Sequence, residues 1–438
     1  MGRKDASHLQ ERAGRHAGLA GGLVPQGGRS ALAGGIRRLN PDRLRIAWYS
    51  NAPWTSTGYG QQTAQLIQRF AKEDHQVAVI CNYGLEGSKS IWNGFQMYPR
   101  GLAAYGDDVI VAHAMDWQHK DQSVPTIIGT LFDVWPLKNP GLKAWPHFFS
   151  WVPIDHTPAP PEVLAWCGLP NVKPVAMSKF GLRMLEAAGI PAMYAPHGIE
   201  ATFKPTARIK TAMMDKPGRE FMEYSDDEFV VLMVAANKGI NPSRKSWAEN
   251  LLAFSIFAQK HKDAVLYLYT EPDGAMGGIN IVNLLNSVGI PKERYRIIDQ
   301  YAYRLGLPHE VMAAIYSAAD VLLACSMGEG FGIPVVEAAA CGVRTIVSDF
   351  SAQPELVGEG WTVEGQPFWD AAQNAWFFTP RIPAIVDALE QAYDTPRGVS
   401  HKQIEHAKQY QADTVYETNW RPIMKELSAW CRSSSSPS

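Results

Sequence analysis

The chain has 438 residues, of which 46% are hydrophobic and 19% are charged, and its formal net charge is −2. This length favours two domains of about 150–200 residues each, and the composition excludes a chain that is disordered throughout. The near-neutral charge gives no general case for nucleic-acid binding. No run of about 18 uncharged apolar residues predicts a membrane-spanning helix.

The two ends of the chain differ in composition from the rest. Residues 1–43 are predicted to form a disordered basic tail, because residues 1–40 contain seven Arg or Lys and two Asp or Glu. This tail is a candidate for contact with an anionic surface, and the alternative is an extension without a function. Residues 433–438 are predicted to be a second disordered tail. Five widely spaced cysteines without a Cys-x-x-Cys motif favour reduced thiols in a cytoplasmic protein.

Residues 44–205 are predicted to form a first α/β domain in which short apolar strands alternate with helices. The strand LRIAWYS (44–50), a helix over 60–75 and the strand QVAVICN (76–82) make a βαβ unit. Further apolar strands are expected at 108–114, 126–132 and 147–154.

A second alternation of strands and helices follows a polar segment of mixed charge at 206–226, which is predicted to be a linker. Residues 227–400 are predicted to form a second α/β domain, and residues 401–432 to be helical. Doubly wound parallel sheets bind ligands at the carboxyl ends of their strands. Two such domains that face each other would form a ligand-binding cleft between them.

The strongest motif is MGEGFGIPVVEAAACG (327–342), which lies between a predicted strand and a predicted helix. Glu329 and Glu337 have seven residues between them, and glycines at 328, 330 and 332 leave backbone N–H groups uncovered. A helix N-terminus presents free donors and a partial positive charge. The motif therefore predicts a site for a phosphate or for sugar hydroxyls.

The surrounding run SAADVLLACSMGEGFGIPVVEAAACGVRTIVSD (317–349) resembles the nucleotide-sugar-binding core of glycosyltransferase family 4, which has the GT-B fold. The resemblance extends over roughly residues 44–430. It implies two Rossmann-like domains facing across a cleft, with the acceptor bound by the first and the donor by the second. It also implies that the C-terminal helices pack back toward the first domain.

The resemblance implies roles for residues of the second domain. Glu329 would contact the donor sugar and Glu337 the ribose hydroxyls. Arg244 and Lys245 match cations that reach the donor diphosphate, where fixed positive charge stabilises the leaving group. The amides that would line the sugar and the diphosphate are those of Gly330, Phe331, Gly332 and Ile333.

The resemblance also implies roles for residues of the first domain. His113, expected at the end of the strand at 108–114, would lie close to the reacting sugar as a catalytic residue. Gly58 and Gly60 would let the backbone approach the donor phosphates or the acceptor. The acceptor-side candidates, which follow predicted strands, are Asp133, Asp155 and His156.

These observations predict a retaining glycosyltransferase that moves a sugar from a UDP- or GDP-sugar to an acceptor hydroxyl. No Asp-x-Asp occurs, and we expect no metal and no cofactor beyond the nucleoside diphosphate sugar as co-substrate. The acceptor stays open between a protein, a glycan, a lipid and a modified nucleic acid. One alternative is a GT-B nucleotide-sugar epimerase, and another is a non-catalytic protein that binds glycans or nucleotide sugars. No function is assigned to segment 358–380.

Overall fold

The computed structural model describes residues 40–211 and 214–433. Most of the two predicted tails, namely residues 1–39 and 434–438, lies outside the described residues. The described part forms two lobes, each built around its own mostly parallel sheet.

The first lobe contains an eight-stranded sheet in the order β3-β4-β2-β1-β5-β6-β7-β8, in which only β3 runs antiparallel to its neighbour. Its strands are β1 (Arg45–Asn51), β2 (Gln76–Tyr83), β3 (Ser90–Trp92), β4 (Phe95–Tyr98), β5 (Thr126–Leu131), β6 (Phe148–Val152), β7 (Val172–Ala176) and β8 (Met193–Tyr194). Its helices are α1 (Gly58–Lys72), α2 (Ile110–His119), α3 (Pro161–Cys167) and α4 (Lys179–Ala187). Strand β1 is buried at all seven positions, because helices cover both faces of the sheet.

The second lobe contains a parallel six-stranded sheet in the order β13-β12-β11-β14-β15-β16. Its strands are β11 (Phe229–Val234), β12 (Ala264–Tyr269), β13 (Tyr295–Ile297), β14 (Val321–Leu323), β15 (Arg344–Ser348) and β16 (Trp361–Val363). The helices from here onward are α5 (Gly218–Phe221), α6 (Trp247–Lys260), α7 (Ile281–Ser287), α8 (Gln300–Leu305), α9 (His309–Ala318), α10 (Ile333–Ala340), α11 (Gln353–Leu356), α12 (Ile382–Asp394), α13 (His401–Ala407), α14 (Ala412–Val415) and α15 (Arg421–Ser433).

Two small antiparallel hairpins stand outside these sheets. Within segment 206–226, β9 (Arg208–Thr211) pairs with β10 (Met214–Pro217). The backbone N–H of Thr206 donates a hydrogen bond to Ser317 Oγ of the second lobe at 3.0 Å. Within segment 358–380, β17 (Gly365–Asp370) pairs with β18 (Ala375–Pro380). The second hairpin, called the bridging hairpin below, crosses to the first lobe.

The C-terminal helices return to the first lobe. Trp420, 1% exposed, packs edge-on against Trp151 with ring centroids 4.8 Å apart. Glu426 of α15 forms an ion pair with Lys173 of β7, with Oε1 2.8 Å from Nζ. The last part of the chain therefore fastens the two lobes together.

The predicted strand at 108–114 is wrong, because these residues enter helix α2 (Ile110–His119). Ile110 and Ala114 are buried one turn apart on the same side of the helix. The apolar run VIVA suited either element, and such a short run does not distinguish a buried strand from a buried helix. The fourth strand of the first sheet in chain order is β4, and β5 follows α2.

Candidate active site

Helix α10 begins at the cleft between the lobes, at the end of a glycine-rich loop that follows β14. Gly332 has φ +122°, a backbone conformation that residues with a side chain rarely adopt. Across the described residues, no protein group accepts a hydrogen bond from the N–H groups of residues 330–333. A Cβ on Gly58 of the first lobe would lie 3.1 Å from Ile333 Cδ1. The free donors of α10 therefore face the other lobe at close range.

Two cations hold Glu329 at the N-terminal end of α10. Lys245 Nζ lies 2.5 Å from Glu329 Oε1 and Arg244 Nη1 lies 3.1 Å from Oε2. Arg244 also donates to Gly328 O at 2.5 Å. Burial would by itself raise the pKa of Glu329, but the charges of Lys245 and Arg244 hold this pKa at about 2. Glu329 is therefore ionised across the physiological range, while burial lowers the pKa of Lys245 against the attraction of Glu329.

The two lobes touch at the glycines of the motif. A Cβ on Gly330 would lie 2.5 Å from Pro153 Cβ, and a Cβ on Gly328 would lie 2.3 Å from Asp155 O. Both distances are shorter than real Cβ contacts, so glycine at these positions allows the lobes to approach. The glycines serve the contact between lobes as well as the exposure of backbone donors.

On the first lobe, Asp155 and His156 follow β6 and face this contact. Asp155 Oδ2 lies 3.7 Å from Arg244 Nη1, and Asp155 Oδ1 lies 2.7 Å from His156 Nδ1. Burial opposes the charge on Asp155, but the hydrogen bond from His156 and the charge of Arg244 hold the pKa of Asp155 below its usual value. Arg244 thus joins a carboxylate of the second lobe, Glu329, to one of the first lobe, Asp155.

His156 also binds the bridging hairpin. Its Nε2 lies 3.2 Å from Asp370 Oδ2, and its ring stacks on Phe377 with centroids 3.6 Å apart. His156 is 3% exposed. With both ring nitrogens engaged, His156 positions Asp155 and the hairpin in this arrangement.

Asp133 and Tyr59 complete the first-lobe side of the cluster. Burial raises the pKa of Asp133 to about 6, and the negative charge of Asp155 adds to the shift. Burial raises the pKa of Tyr59 well above its usual value, and the charge of Asp133 adds to it. The cluster thus contains one carboxylate that stays ionised, Asp155, and one that titrates near neutrality, Asp133. Tyr59 was not predicted, although it stands between Gly58 and Gly60 in the first turn of α1.

Glu337 lies one turn into α10 and is buried, with 6% of its surface exposed. Tyr316 OH donates to Glu337 Oε2 at 2.7 Å. Burial raises the pKa of Glu337 to about 7, and the hydrogen bond from Tyr316 opposes that rise. Glu337 therefore changes charge near physiological pH.

Two of the predicted residues occupy other environments. His113 lies in α2, where its Nε2 is 3.1 Å from Pro99 O and its ring stacks on Tyr98 at 4.8 Å. The structure therefore does not bring His113 into the cluster. Gly60 lies in the first turn of α1, and glycine is required there because a Cβ would lie 2.2 Å from Thr55 Oγ1 of the preceding loop. Gly58, which meets Ile333 across the cleft, is the glycine that faces the start of α10.

Among residues 40–211 and 214–433, no group of three or more His, Cys, Asp or Glu side chains is placed to hold a metal ion. In the same ranges, every helix is too short or too polar to cross a membrane.

Residues 292–410 match the sequence family described as "Glycosyl transferases group 1". Over 154 residues the chain is 25% identical to the serotype-specific mannosyltransferase WbdA of Escherichia coli, a match that covers 35% of this chain and 16% of that protein. Over 57 residues it is 39% identical to O-antigen chain mannosyltransferase B of Escherichia coli, covering 13% of this chain and 15% of that protein. The chain thus spans about a sixth of the length of these curated relatives.

Solved structures share the whole architecture. A sucrose-phosphate synthase from Thermosynechococcus elongatus superposes with a TM-score of 0.64 at 17% identity, covering 89% of this chain and 99% of that one. WaaG, a glycosyltransferase involved in lipopolysaccharide biosynthesis, superposes with a TM-score of 0.56 at 13% identity, covering 88% and 98%. The predicted fold is therefore confirmed: the chain has the two-lobed α/β fold of GT-B glycosyltransferases. The matched domain and the mannosyltransferase relatives support a transferase enzyme.

Proposed function

We propose that this protein is a retaining glycosyltransferase of family 4 that moves a hexose from a UDP- or GDP-hexose to an acceptor hydroxyl in the cytoplasm. The observation that carries the proposal is the cluster of Arg244, Lys245 and Glu329 at the start of α10, with Asp155 facing it from the other lobe. Fixed cations beside free backbone donors suit a diphosphate. The mannosyltransferase relatives support a hexose as the transferred group.

In the proposed reaction, the bond between the sugar C1 and the diphosphate oxygen breaks as the acceptor oxygen bonds to C1 on the same face. The acceptor proton passes to the departing phosphate oxygen, so the products are the glycoside and the nucleoside diphosphate. Arg244, Lys245 and the N–H groups of residues 330–333 stabilise the charge that develops on the diphosphate. The diphosphate competes with Glu329 for the two cations, and Glu329 then turns to the donor sugar.

The same groups supply the positive charge that a divalent ion supplies in metal-dependent glycosyltransferases. Two side-chain cations and a helix N-terminus face the position proposed for the diphosphate. We therefore propose that transfer needs no metal.

The remaining residues of the site bind the two ends of the reaction. Glu337, one turn deeper in α10, accepts hydrogen bonds from the ribose hydroxyls when it is ionised. Asp133 and Asp155, on the first lobe, bind acceptor hydroxyls. Their unequal pKa values leave Asp133 able to take up or release a proton near neutral pH.

Calorimetric titration of UDP, GDP and the corresponding hexose conjugates, with a chelator present, tests the donor site. We expect one nucleotide series to bind and Glu337→Gln to weaken it by tenfold or more, because the amide cannot replace an ionised acceptor. Proton NMR of the anomeric signal, recorded once an acceptor is found, tests retention. Failure of every nucleotide to bind, or a strict need for Mg²⁺, would contradict this proposal.

A further inference from the structure

The bridging hairpin begins on the donor lobe and docks beside the acceptor-side residues. Thr157 N donates to Trp376 O at 3.0 Å, and Trp376 N donates to Thr157 O at 3.1 Å. Phe377 covers Gly328, since a Cβ there would meet the Phe377 ring at 2.9 Å. The hairpin therefore forms part of the wall of the cleft next to Glu329.

The outer face of this hairpin carries two tryptophans. Trp369 and Trp376 are cross-strand partners, and their rings lie 5.0 Å apart at 67°. They are 46% and 42% exposed. Neighbouring side chains of a strand point to opposite faces, so the indoles lie on the reverse of the face on which Phe377 meets His156. Two large aromatic side chains held together in solvent indicate a binding surface.

The chemistry of the hairpin selects the kind of ligand. From Gly365 to Pro380 the one charged residue is Asp370, and its carboxylate already pairs with His156. The hairpin offers no cation to an anionic lipid or to a nucleic-acid backbone. The other polar groups include the amides of Gln366, Gln373 and Asn374. Indole faces stack on the C–H faces of sugar rings, while amides donate to and accept from sugar hydroxyls.

We propose that Trp369 and Trp376 bind a sugar unit of a neutral oligosaccharide acceptor, away from the unit that receives the transferred hexose. This inference rests on the proposed function and specifies the acceptor class for it. Trp376 directly precedes Phe377, and one strand residue advances about 3.3 Å. The indoles lie on the reverse of the face that meets His156, so an oligosaccharide whose terminal unit lies at Asp155 reaches them by passing around the edge of the two-stranded hairpin.

The test is calorimetric titration of the full chain with maltohexaose, cellohexaose and a linear α-mannohexaose, with UDP or GDP as a separate titrant. The variants are Trp369→Ala/Trp376→Ala, Trp369→Phe/Trp376→Phe and, as a control, Ile256→Ala. Ile256 is 43% exposed on α6. We expect one hexasaccharide to bind the wild type, to bind the alanine pair at least tenfold more weakly and to bind the phenylalanine pair at an intermediate level. The Ile256→Ala variant should match the wild type, and nucleotide affinity should be unchanged in every variant.

Three results would overturn the inference: equal hexasaccharide binding by the wild type and the alanine pair, no binding of any hexasaccharide by the wild type, or binding of phosphatidylglycerol vesicles that depends on the two indoles. Nucleotide binding without hexasaccharide binding refutes this inference and leaves the donor site standing. Absence of nucleotide binding refutes the proposed function itself. Melting curves of all variants identify any loss of folding, and the phenylalanine pair keeps the test decisive if the alanine pair unfolds.

Discussion

The two sides of the cleft, which we propose bind the donor and the acceptor and call the donor side and the acceptor side, are assembled differently. The donor side is built by one strand-loop-helix segment, β14 to α10, together with the neighbouring Arg244 and Lys245, and buried charge fixes its geometry. The acceptor side joins the loop after β6 to the bridging hairpin, and its contact between His156 and Asp370 spans 214 positions of the chain. The donor side thus lies within one lobe, where its ion pairs join residues 84 and 85 positions apart in the chain. The acceptor side instead depends on how the bridging hairpin docks against the first lobe.

The largest expected effect concerns the charge of Glu329. Glu329→Gln should slow release of nucleoside diphosphate from the donor by roughly 10²–10³-fold, because it removes the carboxylate that orients Arg244 and Lys245. The rate of that release measures the effect. Glu390→Gln is the matched control, since Glu390 also contacts two basic groups, Lys260 at 2.7 Å and His261 at 2.9 Å, but away from the cleft. Equal rates in both variants would show that Glu329 has no role in the reaction.

The same ion pairs should make stability depend on pH. The pKa of Glu329 is about 2 in the folded chain against an ordinary value of 4.5, so its ionisation contributes about 3 kcal/mol of stability above pH 4.5. That contribution should disappear as the pH falls from 4.5 toward 2. Urea unfolding of the wild type and Glu329→Gln between pH 3 and pH 7 measures it. A difference between the two that stays constant over this range would contradict the ion-pair account.

The contact between lobes should tolerate no side chain at Gly330. Gly330→Ala places a methyl group 2.5 Å from Pro153 Cβ, and we expect a loss of about 1–3 kcal/mol of stability from overpacking. Turnover should fall as well, because the lobes cannot approach fully. Gly141→Ala, on an exposed turn where the Cβ meets only Asn139 Oδ1 at 3.2 Å, should change little. Thermal melts and turnover rates of Gly330→Ala and Gly141→Ala measure the two effects.

The donor side should also respond to pH through Glu337. Its pKa is about 7, so nucleotide affinity should rise as the pH increases through 7 and the carboxylate ionises. Tyr316→Phe removes the hydrogen bond that favours the ionised form, which raises the pKa and weakens nucleotide binding at pH 7 by roughly tenfold. Titrations between pH 6 and pH 9 measure both effects. Stronger binding at low pH would contradict the proposed role of Glu337.

The smallest expected effect lies on the acceptor side. Asp370→Asn removes the charge that pairs with His156 across the cleft, and Asp370 is 13% exposed. We expect a loss of about 1 kcal/mol of stability with nucleotide affinity unchanged, because no donor residue is touched. Parallel melts and nucleotide titrations measure the two quantities. A large loss of nucleotide binding would show that the two sides are not independent.

The difference between the two sides explains what the sequence could predict. The carboxylate spacing of Glu329 and Glu337 and the cations at 244–245 lie in local patterns, and the structure brings Glu329, Arg244 and Lys245 together. His113 was misplaced because the run VIVA suits a strand or a helix, and burial of Ile110 and Ala114 decided for the helix.

The bridging hairpin could not be assigned from the sequence. Its clustered aromatic residues suit a strand, but the pairing of Trp376 with Thr157 depends on how the lobes meet. The same limit hid the reason for Gly328 and Gly330, whose missing side chains make room for Asp155 and Pro153 of the other lobe. Tyr59 is the clearest omission, since the two glycines on either side of it, Gly58 and Gly60, were predicted as site residues.

The most direct test of the central claim is a crystal structure of the protein with the nucleoside diphosphate that binds most tightly. The account predicts the diphosphate at the start of α10, with phosphate oxygens within hydrogen-bond distance of the Arg244 guanidinium, the Lys245 ammonium and the N–H groups of residues 330–333. It also predicts the ribose at Glu337. A diphosphate held elsewhere, or held there with Arg244 and Lys245 still paired only to Glu329, would contradict it.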